Sequence, residues 1–168
     1  AQDPSHKLIL LSYSSNLASE HGSFARDYVT EFGPHLDPSG RLQVLRDSRS
    51  KAHWRTSAGG HMISGSIQGT VTGRSATGII IDDPFKGSED SASIVIREKV
   101  WATYSAAAET RLTPDGFIAL INTPWHPDDL TGRLLATEPE KWLVLRFPAL
   151  AEENDVLGRT PGEGLFLS

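Results

Sequence analysis

Two adjacent carboxylates, Asp82 and Asp83, follow a run of three isoleucines at positions 79–81. Three consecutive β-branched residues favour a strand that is buried on both faces, and Pro84 ends that strand because proline cannot donate to the ladder. A rigid strand end suits a carboxylate that helps to hold Mg²⁺ on a nucleoside triphosphate, because Mg²⁺ prefers oxygen ligands. The second carboxylate can then orient the attacking water. An ordinary strand followed by an Asp-Asp-Pro turn explains the same residues equally well.

Polar side chains also end the next apolar run, which we predict to be a second buried strand at Phe117–Asn122. Asn122 and Thr123 at its end would be placed to sense the γ-phosphate or the attacking water from beside the Asp82-Asp83 strand. The alternative is a helix start, with Thr123 as the capping residue and Pro124 at the first helical position. Taken alone, this motif favours the helix start.

The segment Gly69–Ser75 has the glycines of a phosphate-binding loop but not the spacing. A P-loop needs four residues between its glycines and then Lys-Ser or Lys-Thr, whereas here three residues intervene and Arg74 replaces the lysine. No complete P-loop occurs in the sequence, so the β- and γ-phosphates would lack their principal cradle. Arg74 itself has two interpretations: an arginine finger that reaches a phosphate of a neighbouring subunit, or a solvated arginine on a loop.

Three further potential metal ligands, His126, Asp128 and Asp129, lie close together in the sequence. Ligands crowded into four residues of a turn rarely chelate one ion, so a zinc site is not favoured there. A divalent-metal hydrolase is nevertheless a third hypothesis. In it, His126 and Asp128 converge with Asp82 and Asp83 on one ion.

The order of elements predicts an α/β protein in which a parallel sheet is covered by helices. We expect strands at residues 7–13, 77–82, 117–122 and 142–147, and either an irregular segment or a short strand at 42–45. We also expect a hairpin around Gly59-Gly60 and helices at 17–32, 91–112 and from about 128. In such sheets, ligands bind outside the carboxyl ends of the strands. The two acidic residues and the Asn122-Thr123 pair are therefore expected at the same edge.

Two local features complete the expected fold. The first helix should bury a stripe formed by Leu17, Phe24, Tyr28 and Phe32, and it should end at Gly33-Pro34. Thr113–Gly116 should form a turn before the second buried strand.

Composition narrows the class of protein further. The chain has 168 residues with a net charge of −5, which argues against a free-standing nucleic-acid clamp. The absence of cysteine excludes disulfides, thiolate zinc sites and cysteine nucleophiles. No apolar run has the roughly 18 residues of a membrane span, and the first residues lack a signal-peptide pattern.

Taken in order, these motifs resemble those of the large terminase subunit of tailed bacteriophages, the motor that packages DNA into procapsids. The residues that carry the resemblance are Leu11–Ser14 with Leu17-Ala18, Gly73-Arg74, Ile79–Pro84, Arg111–Gly116, Asn122–Leu130 and Phe147–Ala151. The resemblance covers nearly the whole chain. It implies a three-layer, P-loop NTPase-like α/β fold of the additional-strand, catalytic-carboxylate (ASCE) class, with helices on both faces of a mostly parallel sheet.

The resemblance also implies roles for individual residues. Asp82 matches the aspartate that organises Mg²⁺ and ATP, and Asp83 stands where many members carry a catalytic glutamate. Thr123, with Asn122, matches the motif that couples hydrolysis to DNA movement. Arg74 would be a trans-acting arginine finger in a homo-oligomeric ring.

For the complete protein, the resemblance implies Mg²⁺ and ATP as cofactors. The implied partners are double-stranded DNA, the small terminase subunit and the portal protein, in the cytoplasm of a bacterial host cell and away from any membrane. Residues 1–150 match the ATPase domain without its Walker A portion, and residues 151–168 match a linker towards a nuclease domain. We therefore expect the isolated chain not to hydrolyse ATP. The alternative function is a non-catalytic prophage remnant that acts as an interaction module.

Overall fold

The computed structural model describes residues 3–69 and 73–165, so Thr70–Thr72 of the glycine-rich segment lie outside the described residues. In chain order, the elements are β1 (Lys7–Ser12), α1 (Ser15–Leu36), β2 (Val44–Arg49), β3 (His53–Thr56), β4 (His61–Ser66), β5 (Ala76–Asp82), α2 (Ser88–Ala92), α3 (Ile94–Arg111), β6 (Leu112–Ile121) and α4 (Leu130–Thr137). The strands form one sheet in the order β2-β3-β4-β1-β5-β6. The predicted α/β class is confirmed.

The sheet is mixed but mostly parallel. β1 pairs in parallel with β4 and β5, and β5 pairs in parallel with β6, whereas β3 is antiparallel to both β2 and β4. The central strands bury both faces. Ile9 and Ile79 are buried on one face, while Leu10 and Ile80 belong to an apolar cluster on the other. The apolar runs of β1 and β5 therefore did predict buried parallel strands. The prediction that Phe117–Asn122 is a buried strand is wrong in its burial, because β6 is at the edge of the sheet and its Phe117 and Ile121 are exposed.

The first helix differs from its prediction in the face that it buries. Phe24, Tyr28 and Phe32 are 54%, 64% and 42% exposed, so the predicted aromatic stripe is wrong. The buried positions of α1 carry small residues, among them Ala18 and Gly22. Small side chains allow the helix axis to approach the sheet closely, and this close approach decides which face of α1 is buried.

The predicted end of α1 at Gly33-Pro34 is also wrong, because the helix continues to Leu36. The last turn is closed by the backbone N–H of Asp37, which donates to the carbonyl of Gly33 at 2.9 Å. A Cβ at Gly33 would collide with the carbonyl of Leu42, so this glycine serves close packing rather than termination.

The predicted hairpin around Gly59-Gly60 is confirmed as β3 and β4, which pair with His53 opposite Ile63. The predicted helix at 91–112 is divided in two at Ser93, whose hydroxyl accepts a hydrogen bond from the N–H of Ile96 and caps α3. The turn expected at Thr113–Gly116 is a register shift within β6 instead. Leu112 pairs with Ala76 and Phe117 pairs with Gly78, so β6 has more residues than β5 between these two pairs.

The strand expected at Trp142–Phe147 is wrong. The structure has a short 3₁₀ turn at Pro139–Lys141 and no regular element over residues 142–148, where Leu143, Val144 and Leu145 are exposed. An apolar run forms a strand only where a neighbouring strand receives its hydrogen bonds, and within the described residues this run has no ladder partner.

The chain divides into two compact units, Ala1–Arg133 and Leu134–Ser168. The first contains the whole sheet. In the second, the carbonyl of Pro148 and the carboxylate of Asp155 both bind the guanidinium of Arg159, and a bridge joins Leu150 to Gly164. The boundary predicted at residue 150 stays a prediction. No helix within residues 3–69 and 73–165 has the length and apolar character needed to cross a membrane.

Candidate functional site

Asp82 is the last residue of β5 and projects towards α1. Its Oδ2 atom lies 2.7 Å from Nδ1 of His21. The position of His21 depends on its neighbour Gly22, whose carbonyl accepts a hydrogen bond from the indole of Trp54 at 2.9 Å. A Cβ at Gly22 would overlap the hydroxyl of Ser64 on β4. The absence of a side chain at residue 22 therefore brings His21 close enough to reach the strand end.

Asp83 has a backbone conformation that non-glycine residues rarely adopt, with φ of 45°. Its N–H donates to the carbonyl of Ile121 at 3.0 Å, and its own carbonyl accepts from the N–H of Tyr13 at 2.9 Å. These two hydrogen bonds tie Asp83 to the ends of β6 and β1 on either side of β5. Strain that is held in place by such bonds is more common at functional sites than elsewhere.

The backbone N–H of Thr123 is near enough to the carboxyl group of Asp83 to act on its pKa. Partial burial is the largest influence on this carboxyl group and raises its pKa above the ordinary value, and the nearby Asp82 carboxylate acts in the same direction. His21 and the Thr123 N–H oppose the shift, but the pKa of Asp83 stays raised. A carboxylate with a raised pKa is a stronger proton acceptor than an ordinary aspartate.

Asn122 lies beside this pair and is held by α4. Its Oδ1 atom accepts a hydrogen bond from the hydroxyl of Thr131 at 2.7 Å, and its amide donates to the carbonyl of Thr123 at 3.3 Å. The structure therefore brings Asp82, Asp83, Asn122 and Thr123 to the carboxyl edge of adjacent parallel strands.

The alternative in which Thr123 caps a helix is wrong. The helix after this segment, α4, begins at Leu130. The buried carboxylate of Asp129 takes the capping role by accepting hydrogen bonds from the N–H groups of Trp125, His126 and Gly132. Thr123 therefore does not cap a helix, whereas Asp129 caps α4.

The hypothesis of a metal hydrolase is not supported, because its proposed ligands have other partners. Asp128 forms ion pairs with Arg97 and Arg133 at 3.0 and 2.8 Å, and these hydrogen bonds lower its pKa to about 2. Nδ1 of His126 accepts from the N–H of Asp128. Among the described residues, no three His, Asp or Glu side chains are gathered for an ion.

Arg74 lies away from the acidic residues within the chain. It precedes β5, whereas Asp82 ends that strand six residues after its start at Ala76. At about 3.3 Å per residue, the two ends of β5 are on the order of 20 Å apart. An arginine finger that acts on a neighbouring subunit is compatible with this placement, but a contribution of Arg74 to its own acidic edge is not.

Two residues of the edge were missed in the sequence. His21 lies 61 positions before Asp82, and no local pattern links a histidine in a helix to a strand end that far along the chain. The second is Ser12, at the end of β1 and next to Asp82, whose buried hydroxyl has no hydrogen-bond partner among the described residues. The sequence did contain a signal for Ser12, because it is a small polar residue directly after the apolar run Leu8–Leu11.

The fold and the site define the class of protein: an α/β protein with an acidic site at the carboxyl edge of a mostly parallel sheet. The chain matches no known protein-family model, and no protein with a curated description matches it.

Proposed function

We propose that the chain is part of an ATP-hydrolysing motor of the large terminase kind, which moves double-stranded DNA into a procapsid. In this proposal, the sheet belongs to a P-loop NTPase-like fold of the ASCE class. Asp82 helps to hold Mg²⁺ on the nucleotide, and Asp83 orients the attacking water. Asn122 and Thr123 couple ATP hydrolysis to movement of the DNA.

The observation that carries the proposal is the hydrogen bond from the N–H of Asp83 to the carbonyl of Ile121 at 3.0 Å, because Ile121 ends β6 two residues before Thr123. The backbone N–H of Thr123 also acts on the carboxyl group of Asp83, whose pKa it lowers against the raising effect of burial. A change in the backbone position of Asp83 is therefore expected to alter the end of β6. This connection is what coupling between hydrolysis and movement requires.

The residues of the edge fit a Mg²⁺–ATP complex in part. Asp82 offers a carboxylate at a fixed strand end, with its Oδ2 atom paired to His21. Ser12 follows the residue that pairs with Ile81, and its buried hydroxyl has no partner among the described residues. Mg²⁺ in nucleotide sites usually takes one or two carboxylates and completes its shell with phosphate oxygens and water. The 168 residues supply no P-loop, so the phosphate cradle would have to come from other residues.

The proposal extends to the partners and the compartment of the complete protein. A packaging motor works on double-stranded DNA in the bacterial cytoplasm, as a homo-oligomeric ring together with the small terminase subunit and the portal protein. The net charge of −5 then requires that the DNA-binding surface is a local one.

The test is ATP turnover by a complete motor protein that contains this chain. Asp83→Asn keeps the size of the side chain and removes its basicity, so turnover should fall at least about 100-fold. Asp115→Asn is the matched control, because Asp115 is an exposed aspartate on β6 and far from the acidic edge. The control should retain turnover within about twofold of wild type.

Unchanged turnover in a folded Asp83→Asn protein would refute the assignment of the site. The 168-residue chain by itself should show no ATPase activity. If it hydrolyses ATP and Asp83→Asn stops the reaction, the acidic site stands, but the phosphate cradle lies within these residues.

One observation favours the alternative of an interaction module. Phe24, Tyr28 and Phe32 form an exposed stripe on α1, in which the rings of Tyr28 and Phe32 stack with centroids 5.9 Å apart. Exposed apolar patches often mark contacts with other proteins. This alternative predicts no ATP turnover in the complete protein with or without Asp83, so the same measurement separates the two functions.

A further inference from the structure

A second cluster of chemically active side chains lies at the amino ends of the parallel strands, opposite the acidic edge. It consists of Lys7 on β1, His53 on β3, His61 on β4 and Arg74 before β5, and we call it the amino-edge cluster. Lys7 is directly opposite His61 in the register of β1 and β4. Nη1 of Arg74 lies 3.2 Å from Nε2 of His53, and the rings of His53 and His61 meet edge to face with centroids 6.0 Å apart.

The cluster has hydrogen-bonding capacity that the chain itself does not use. Nε2 of His61 is buried and has no hydrogen-bond partner among the described residues. The side chain of Arg74 makes a hydrogen bond to His53, and within the described part of the chain it has no carboxylate partner. A guanidinium without a counter-ion favours binding of an external anion.

The charges around the two histidines are of one sign. Burial lowers the pKa of both rings below the ordinary value, and Arg74 lowers both further. Arg55 adds to the effect on His53, and Lys7 adds to the effect on His61. Arg55 differs from Arg74 in having a counter-ion, because it forms an ion pair with Asp47 at 3.3 Å.

We propose that the amino-edge cluster binds a phosphate group. The guanidinium of Arg74 would donate to the phosphate oxygens, the two imidazoles would add ring N–H donors, and Lys7 would contribute charge. An oxyanion is the ligand that satisfies all four groups at once, and phosphate matches the planar fork of arginine. The proposal does not depend on the proposed ATPase function, because the cluster is at the other end of β5.

The test follows the ring resonances of His53 and His61 by NMR while inorganic phosphate is added to the chain at constant pH and ionic strength. Both sets of signals should shift together and saturate. Arg74→Gln should raise the apparent dissociation constant at least about tenfold, since it removes a charge-assisted pair of hydrogen bonds. Arg74→Lys, which keeps the charge and loses the fork, should give an intermediate value.

Lys86→Gln is the matched control, because it removes the same charge from an exposed residue just after the acidic pair. Its phosphate affinity should stay within about twofold of the unchanged chain. Shifts that do not saturate, or equal losses in Arg74→Gln and Lys86→Gln, would show nonspecific attraction and overturn the proposal.

Two further ligands identify the source of the phosphate group. If a short DNA duplex displaces inorganic phosphate from the wild-type chain and binds more weakly to Arg74→Gln, the source is a nucleic-acid backbone. If ATP displaces phosphate and the duplex does not, the source is a free nucleotide. Failure of phosphate, duplex and ATP alike to move the His53 and His61 signals would exclude the site.

Discussion

At the scale of single residues, Asp83 carries the strongest sign of a function beyond folding. It holds a left-handed backbone conformation between two hydrogen bonds, to Ile121 and to Tyr13, although glycine would adopt this conformation with less strain. The pKa of its carboxyl group is raised by partial burial and by the neighbouring Asp82 carboxylate. Aspartate and asparagine adopt this conformation more readily than other non-glycine residues, and Asn154 also has a positive φ.

The strain at Asp83 leads to a stability prediction. Asp83→Gly should be more stable than Asp83→Ala by about 1 kcal/mol, because the Cβ atom of alanine is sterically unfavourable at a positive φ and glycine has no Cβ atom. Denaturation with urea measures the difference. At Asp115, which lies in β6 and has no positive φ, the order should reverse, with alanine more stable than glycine. The same order at both positions would mean that residue 83 is not strained.

The acidic pair and the Asn122-Thr123 pair were predictable from the sequence, because each follows an apolar run and the ends of parallel strands meet at one edge. His21 was not predictable in the same way. Its contact with Asp82 depends on how α1 lies on the sheet, which is a property of tertiary packing. The pairing of Arg74 with His53 was equally hidden, since it joins residues 21 positions apart across two turns.

At the scale of elements, α1 positions the site through its small residues. Gly22 lets the helix approach β4, and the indole of Trp54 fixes the distance by donating to the Gly22 carbonyl. His21 is placed at Asp82 as a result. The aromatic residues of α1, which have the more obvious helical spacing, face outward.

Substitution of Gly22 tests this role of α1. Gly22→Ala should lower the free energy of unfolding by about 1–3 kcal/mol, because the added methyl group meets Ser64 and the backbone carbonyl of Lys51. In an exposed helix the same change would stabilise by about 1 kcal/mol. Glu20→Ala, at an exposed position of α1, is the control and should not destabilise. A stabilised Gly22→Ala protein, measured by thermal or chemical denaturation, would contradict the close approach of helix and sheet.

The sequence correctly predicted the strands that are buried on both faces of the sheet, because burial on both faces requires a continuous apolar run. Central strands β1 and β5 are apolar at nearly every position, so their assignment does not require knowledge of their neighbours. The buried face of α1 and the state of residues 142–147 depend on what packs against them. Local spacing indicated the wrong face for α1, and an apolar run without a ladder partner did not become a strand.

At the scale of the whole molecule, acidic and basic side chains lie at opposite edges of the sheet. Asp82 and Asp83 lie at the carboxyl edge, and Lys7 and Arg74 lie near the amino ends of the same strands, on the order of 20 Å away. A cation–nucleotide site at one edge and a phosphate site at the other would therefore act on different ligands or on different parts of one ligand. The net charge of −5 does not reveal this separation.

The most direct test of the acidic site adds Mn²⁺ with ATP, as a paramagnetic substitute for the magnesium complex, to a complete motor protein that contains this chain, because these 168 residues supply no P-loop. The chain carries Arg74→Gln in this experiment, so that the amino-edge cluster does not compete for the phosphates. Backbone amide signals should lose intensity selectively at Tyr13, Asp82, Asp83 and Thr123, and Asp82→Ala should restore them. If these four signals keep their intensity, or if Asp82→Ala leaves the pattern of loss unchanged, the acidic pair does not bind a metal–nucleotide complex.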